Sequence, residues 1–242
     1  MQNHREQATV PTMDNGQIRI GLIGGLAFRA GLFYYERLLE RHVAEGRRLD
    51  LFLAHADVAT VLAHVAAGDK SGLGNYLGTL ANDLFDAGAD LVAISAVAPH
   101  LAAVEIASVA RGPVISILDV IPMALEAANV GKVAVFGNRA AMETDVFGSL
   151  PPSMVVRHDA AQLEAIHAAY TDVAVSGKRG TAPEAAFFAD AARRAMQEGG
   201  AEAILLAGTD LSSFYADAPP PFPAIDVATL HVREIFRCAW AA

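Results

Sequence analysis

The chain has 242 residues, of which 53% are hydrophobic and 19% charged, a composition that predicts a sizeable buried core and excludes a largely disordered main body. Its 27 acidic residues outnumber its 18 lysines and arginines, and this negative balance disfavours nucleic acid and membrane surfaces as partners. The single cysteine, Cys238, excludes an internal disulfide framework and sites built from several thiolates. We therefore expect a chain of the reducing cytoplasm.

The amino-terminal segment is polar, and we predict that residues 1–18 form a flexible tail. It lacks the basic and apolar regions that a secretory signal needs. The longest apolar stretch, residues 91–110, is interrupted by polar residues and a proline, which favours a strand, a loop and a helix over a membrane span.

Short apolar runs alternate with longer amphipathic ones along the whole chain. IRIGLIGG, LDLFLAHAD and ADLVAISAVAP have the character of strands, and LFYYERLLERHVAEG and a run ending in NYLGTLANDLFDAG that of helices. The second half repeats this order with PVISILDV, VGKVAVFGN, SMVVRHD, the helical AAFFADAARRAMQEGG and AEAILLAGTD. Alternation of this kind predicts an α/β fold with parallel sheets covered on both faces.

Two pairs of segments indicate an internal duplication. IGLIGG at 20–25 matches VAVFGN at 133–138 with an offset of 113, and AGADLVAISAVAPH at 87–100 matches GGAEAILLAGTDLS at 199–212 with an offset of 112. Two matches at nearly one offset predict two pseudo-symmetric α/β domains.

The duplication also predicts domain boundaries and the place of a site. We expect a first domain of residues 19–117 plus 209–242 and a second of residues 118–208. Ligands bind beyond the carboxyl ends of parallel strands, so the predicted site lies in the cleft between the domains. Ala96 and Gly208 are paired positions that flank it.

The segment RIGLIGGLAFRAGLFYYERLLE resembles the opening of the aspartate/glutamate racemase superfamily, with a strand, a Gly-Gly turn and a helix that carries a Tyr-Tyr pair. LAHAD, AGADLVAISAVAPH, VAVFGNRAAMETDVF, GGAEAILLAGTDL and FPAIDVATLH resemble successive later blocks, so the resemblance runs from about Arg19 to the carboxyl end. It implies a homodimeric, two-domain enzyme that works without a cofactor on the α-proton of a small carboxylate.

The chain departs from the family where the chemistry is done. The family supplies two cysteines as acid/base groups, one in a Cys-Asn-Thr-x-His block and one in a Gly-Cys-Thr-Glu or Gly-Cys-Thr-His block. Aligning His100 and Thr209 with these blocks places Ala96 and Gly208 at the thiol positions. We therefore expect an isomerase or lyase that acts on a small carboxylate or carbonyl compound by another mechanism than the usual two-cysteine one. The alternative is a catalytically silent protein that binds a small ligand.

Four side chains are candidates for the proton transfer. His100 follows a strand end, where an imidazole either titrates near neutrality or serves as a structural group. Asp210 opens the loop after AILLAG, where an acid/base role competes with capping of backbone N–H groups. His231 matches the family's IDVATLH-like ending, and Asp57 follows the second strand beside His55, a further candidate base.

Five side chains are candidates for holding the substrate. Arg29 and Arg139 follow glycine-containing turns that lead into predicted helices, where an arginine can bind a carboxylate beside exposed N–H groups. Asn138 adjoins the second of these turns, and the hydroxyls of Thr209 and Ser95 stand at strand ends.

Other features point to packing or exclude a site. The helix that begins with Phe33, Tyr34 and Tyr35 has an apolar face, which favours the core or a dimer contact over catalysis. The eight histidines are scattered without a metal-binding motif, and the three lysines stand in no motif for pyridoxal phosphate. We predict neither a metal nor an organic cofactor.

Overall fold

The computed structural model describes residues 18–27, 29–177 and 182–240, so the predicted tail lies outside the described residues except for Ile18. The described chain forms two four-stranded parallel sheets with the orders β2-β1-β3-β4 and β6-β5-β7-β8. This arrangement confirms the predicted α/β fold. The strands are β1 (Ile20–Gly24), β2 (Leu51–His55), β3 (Leu91–Ile94), β4 (Val114–Ile115), β5 (Val133–Gly137), β6 (Val155–Val156), β7 (Ala203–Ala207) and β8 (Ala224–Asp226).

Helices connect and cover the strands, and several begin where a side chain accepts a hydrogen bond from the backbone three residues later. Within the described residues, none of them combines the length and apolar character needed to cross a bilayer. The helices are α1 (Ala30–Ala44), α2 (Val58–Ala67), α3 (Lys70–Asp86), α4 (Ala103–Val109), α5 (Val120–Ala127), α6 (Arg139–Glu143), α7 (Asp145–Gly148), α8 (Ala160–Ser176), α9 (Ala182–Gln197), α10 (Thr209–Phe214) and α11 (Val227–Trp240), and short 3-10 turns cover Ala98–Ala102 and Pro152–Met154.

The two sheets repeat one another in register as well as in order. Ile20 of β1 is the partner of Leu91 in β3, and Val133 of β5 is the partner of Ala203 in β7. These are the residues that the offsets of 113 and 112 relate in the sequence. Every residue of these four strands is buried, as expected for central strands covered on both faces. The predicted pseudo-symmetry is confirmed.

The carboxyl-terminal segment contacts both halves. Its strand β8 pairs in parallel with β7 of the second sheet, whereas α11 packs against both α1 and α5. Buried side chains of α11, among them Val232 and Ile235, join the core cluster of Ile20 and Leu22 in the first half. The proposed division at residues 118 and 209 therefore separates two sheets that share their last helix, and β8 lies with the second of them.

The Gly24-Gly25 turn needs glycine for two separate reasons. Gly25 has a φ of +82°, a backbone conformation that costs other residues roughly 1–2 kcal/mol. A Cβ atom there would also lie 2.7 Å from Nδ1 of His55 and would collide with the carbonyl oxygen of Ala56. Gly46 has a similar φ of +63°, but a Cβ there would meet nothing within 4 Å.

We expect Gly25→Ala to destabilise the protein clearly more than Gly46→Ala does. Both substitutions incur the cost of positive φ, roughly 1–2 kcal/mol, but only the first adds a steric collision with the neighbouring loop. Urea unfolding of the two variants beside the parent measures the difference. Equal losses of unfolding free energy would show that the loop after β2 moves away without cost.

Candidate active site

The carboxyl ends of the two sheets are joined by a hydrogen bond. Thr209, the first residue of α10, stands just after Gly208 at the end of β7, and its hydroxyl donates to the backbone oxygen of Ser95 just after β3, at 3.1 Å. Ser95 is fully buried and Thr209 is 2% exposed. The contact brings together the two strand ends that carry Ala96 and Gly208, at the place where the duplication predicts the cleft.

His100 lies beside the first strand end but has both ring nitrogens engaged. Because a carbonyl oxygen can only accept, Nδ1 donates its proton to the oxygen of Ala96 at 2.9 Å. Nε2 then accepts from the backbone N–H of Ile117 at 3.3 Å. Burial lowers the pKa of His100 to about 4. This imidazole is neutral and holds the turn after β3 in place, which leaves it no ring nitrogen for the predicted catalytic role.

His231 is engaged in the same way. Nε2 donates to the oxygen of Ile115 at 2.9 Å, and Nδ1 therefore accepts from the hydroxyl of Tyr34, also at 2.9 Å. Burial and the neighbouring His100, whose ring centroid lies 6.0 Å away, lower the pKa of His231 to about 3. His231 connects α1 and α11 to the end of β4 and, like His100, serves the structure.

Tyr34 is a member of this polar network that the sequence assigns only to packing. Its hydroxyl interacts with Thr209 as well as with His231. Burial and the nearby carboxylate of Asp226 raise its pKa well above the ordinary value, so it stays a hydrogen-bond donor. The Tyr-Tyr pair of the family resemblance was the one sequence signal for it.

Two further predicted site residues cap helices. Asp57 is exposed, and its carboxylate accepts from the backbone N–H of Thr60 at 2.8 Å and from the hydroxyl of Thr60 at 2.6 Å. These bonds lower its pKa, which makes it a poor base. Asn138 accepts from the N–H of Ala141 at 2.8 Å at the start of α6. Both side chains stabilise helix starts.

The two predicted arginines occupy different places. Arg139 forms ion pairs with Glu164 of α8 and, at 3.5 Å, with Glu143, on an exposed surface. Arg29 donates from Nε to the backbone oxygen of Gly177, which follows α8 in the second half. Arg29 therefore lies between the two halves, whereas Arg139 belongs to the surface of the second.

Asp210 differs from the other candidates because its environment raises its pKa. It lies in the first turn of α10 and is only 5% exposed. Burial raises its pKa, and its Oδ2 accepts a hydrogen bond from the hydroxyl of Tyr170 at 3.2 Å. A carboxyl group in such surroundings exchanges a proton closer to neutral pH than an exposed one does.

Tyr170, on α8, fills the space that the missing side chain of Gly208 leaves. A Cβ atom at Gly208 would lie 2.9 Å from the Tyr170 hydroxyl oxygen and would collide with the ring. Burial and the charge of Asp210 raise the pKa of Tyr170 well above its ordinary value. The sequence does not reveal this residue, because it lies within the helical run AQLEAIHAAYTDVAVS, where no motif distinguishes it.

Metal ligands do not cluster in the part of the chain that the structure describes. No three histidine, cysteine, aspartate or glutamate side chains there stand close enough together to hold an ion. Cys238 lies on α11, where its thiol donates to the carboxylate of Glu234 at 3.4 Å. Its thiol is therefore bonded within α11, and Cys238 lies far in sequence from the strand ends at Ala96 and Gly208.

We expect the stability of the protein to fall as the pH is lowered from about 6.5 towards 4. The unfolded chain protonates His100 and His231 near their ordinary pKa of 6.5, but the folded protein protonates them only near 4 and 3. Between these values the unfolded form binds more protons, and each extra proton costs about 1.4 kcal/mol of stability per pH unit.

Urea unfolding at several pH values measures this slope. His100→Gln should reduce it by about one proton relative to the parent. An unaltered slope in His100→Gln would contradict the assignment of His100 as a buried neutral group.

The fold is shared with solved structures across nearly the whole chain. An Asp/Glu racemase candidate from Yersinia pestis superposes with a TM-score of 0.78 at 20% identity, over 92% of this chain and 99% of its own. An aspartate racemase homologue from Pyrococcus horikoshii gives 0.75 at 21% identity, over 91% and 98%. Arylmalonate decarboxylase gives 0.53 at 15% identity, over 93% of both chains.

Comparison with curated protein sequences gives no significant match. The model of the Asp/Glu/Hydantoin racemase family matches residues 23–235, which span both sheets and all the strand ends described above. The resemblance seen in the sequence is thus confirmed over most of its length: the chain belongs to the Asp/Glu/Hydantoin racemase family.

Proposed function

We propose that the protein is an isomerase or lyase that transfers a proton at the carbon beside a carboxylate of a small acid, with Asp210 as an acid/base group. The observation that carries the proposal is the state of Asp210, a buried carboxyl group with a raised pKa at the carboxyl end of β7. General acid/base catalysis is most effective when the pKa of the group lies near the working pH. The other three predicted acid/base groups, Asp57, His100 and His231, use their polar atoms in hydrogen bonds that stabilise the fold.

The two half-sites differ in what they offer. At the first, Ala96 carries no ionisable group, the hydroxyl of Ser95 donates to the oxygen of Ile23 at 3.0 Å, and His100 is held by backbone atoms. At the second, Asp210 and Tyr170 are paired. Racemisation by two bases needs a proton carrier on each face of the carbon. Decarboxylation, or isomerisation by one base, needs only one.

The family and one arginine support a substrate that carries a carboxylate. Arg29 bridges the loop after β1 and the end of α8, and we propose that its positive charge holds a substrate carboxylate between the halves. The fold is shared with arylmalonate decarboxylase, which supports decarboxylation of a malonate-type acid as the first reaction to test. A homodimeric state, a cytoplasmic location and independence of cofactors stay predictions.

The second candidate is a binding protein without catalytic activity. It is favoured by the engagement of both candidate histidines, since His100 and His231 are hydrogen-bonded through both ring nitrogens and offer none to a substrate. Such a protein would bind the small acid and release it unchanged.

Proton NMR in D₂O separates the two candidates. We expect exchange of an α-proton or loss of carbon dioxide with at least one acid from a panel of methylmalonate, malate, lactate, aspartate and glutamate. Asp210→Asn should lower the rate about 100-fold or more, because loss of a general acid/base group typically costs 10²–10⁴. Asp69→Asn is the matched control, since Asp69 is an exposed carboxylate that caps α3.

Each outcome decides between the candidates. Equal rates for the parent and Asp210→Asn would exclude Asp210 as the proton carrier. Silence with every acid, accompanied by a rise in melting temperature on addition of one of them, would favour the binding protein. Rapid interconversion of L- and D-aspartate or glutamate would contradict a one-sided site.

A further inference from the structure

We infer that Tyr170 is a catalytic residue, whose hydroxyl delivers the proton to the substrate carbon in the second half-site, with Asp210 behind it as the proton source. The inference rests on the proposed function and adds to it the group that touches the substrate. Its basis is the arrangement of three residues. The Tyr170 hydroxyl contacts both the empty side-chain position of Gly208 and the carboxyl group of Asp210.

The first step of the argument is the space at Gly208. This glycine ends the turn after β7 with a φ of −167°, an extended conformation open to any residue, so backbone strain does not require glycine here. What requires it is the aromatic ring of Tyr170, with which a Cβ atom would collide. The Tyr170 ring therefore fits only because residue 208 has no side chain. Its phenol occupies the position that a side chain at 208 would take.

The second step is the position of the hydroxyl. The Tyr170 oxygen lies 2.9 Å from the Cβ position at Gly208 and 3.2 Å from Oδ2 of Asp210. The phenol oxygen thus contacts both the side-chain position at Gly208 and the carboxyl group of Asp210, which is itself 5% exposed.

The third step is proton balance, written for a malonate-type acid. The bond between the α-carbon and one carboxylate breaks, carbon dioxide leaves, and the electron pair remains on the α-carbon. When Asp210 is protonated, its carboxyl group donates to the Tyr170 oxygen, and the phenol O–H, which otherwise donates to Oδ2 of Asp210, is released for the substrate. This O–H bond breaks and its proton forms the new C–H bond. The resulting phenolate takes a proton from the carboxyl group of Asp210, which is reprotonated by water. One proton from solvent is consumed for each carbon dioxide released.

The raised pKa values of both groups agree with this order of transfer. Burial keeps Tyr170 protonated at neutral pH, and burial also raises the pKa of Asp210, so a larger fraction of it carries a proton near neutral pH than of an exposed aspartate.

Two substitutions test the inference from opposite sides. Tyr170→Phe keeps the ring and removes only the hydroxyl. Gly208→Ala keeps the hydroxyl and displaces it, because the new Cβ atom takes the place of the ring. With the best acid of the panel, we expect either change to lower kcat about 100-fold or more with KM altered only a few fold. Tyr35→Phe, at a tyrosine that is 43% exposed on α1, is the matched control.

The pH dependence of kcat distinguishes a role of Tyr170 in proton transfer from a purely structural role. In the parent, kcat should fall at high pH as the proton source at Asp210 is lost, and the residual activity of Tyr170→Phe should lose this dependence. Melting temperatures establish that each variant is folded. If Tyr170→Phe does not fold, Gly208→Ala decides alone.

The failures are distinguishable. A parent protein that is silent with every acid overturns the proposed function and this inference with it. An active parent whose Tyr170→Phe variant keeps its rate within about threefold overturns the role of Tyr170 and leaves Asp210 as the proton carrier. Full activity of a folded Gly208→Ala has the same meaning.

Discussion

The hydrogen bond from Thr209 to the backbone oxygen of Ser95 is the contact on which the cleft depends. It joins the ends of two strands that belong to different sheets, at 3.1 Å and out of reach of water. Leaving a buried carbonyl without a partner costs roughly 1–3 kcal/mol, so the two sheets are held at the separation that satisfies it. Ala96 and Gly208 are the chain neighbours of the two bonded residues, Ser95 and Thr209.

The same need to satisfy buried polar groups decides what the histidines do. The carbonyl oxygens of Ala96 and Ile115 lie at strand ends where no further strand pairs with them, and the imidazoles of His100 and His231 supply the donors. An imidazole that donates to a carbonyl with one nitrogen and accepts with the other has no use for a second proton. The cleft therefore holds two neutral histidines, and the ionisable groups left for chemistry are on the side of Asp210 and Tyr170.

The sequence predicts the fold well because the fold depends on patterns that are local or repeated. Burial of whole strands and the offsets of 113 and 112 specify both sheets and their relation. For the candidate site, the sequence predicts the location but not the roles of the individual side chains. Whether His100 titrates near neutral pH depends on its burial, and the role of Gly208 depends on a helix residue 38 positions earlier, Tyr170. The left-handed turn at Asp145 and Val146, with φ near 54° and 52°, also has no sequence signal.

A duplicated fold begins with two equivalent half-sites, and here they have diverged. Under the proposed chemistry, only the second half-site supplies a proton, from the Tyr170 hydroxyl beside Gly208, whereas Ala96 in the first half-site offers a methyl group. The proton then arrives from one face only, so a prochiral intermediate gives a single enantiomer. Two acid/base groups, one on each face of the carbanion, would let the same cleft interconvert the two enantiomers. The pairing of a side-chain-free position at 208 with a tyrosine thus changes the stereochemical outcome without changing the fold.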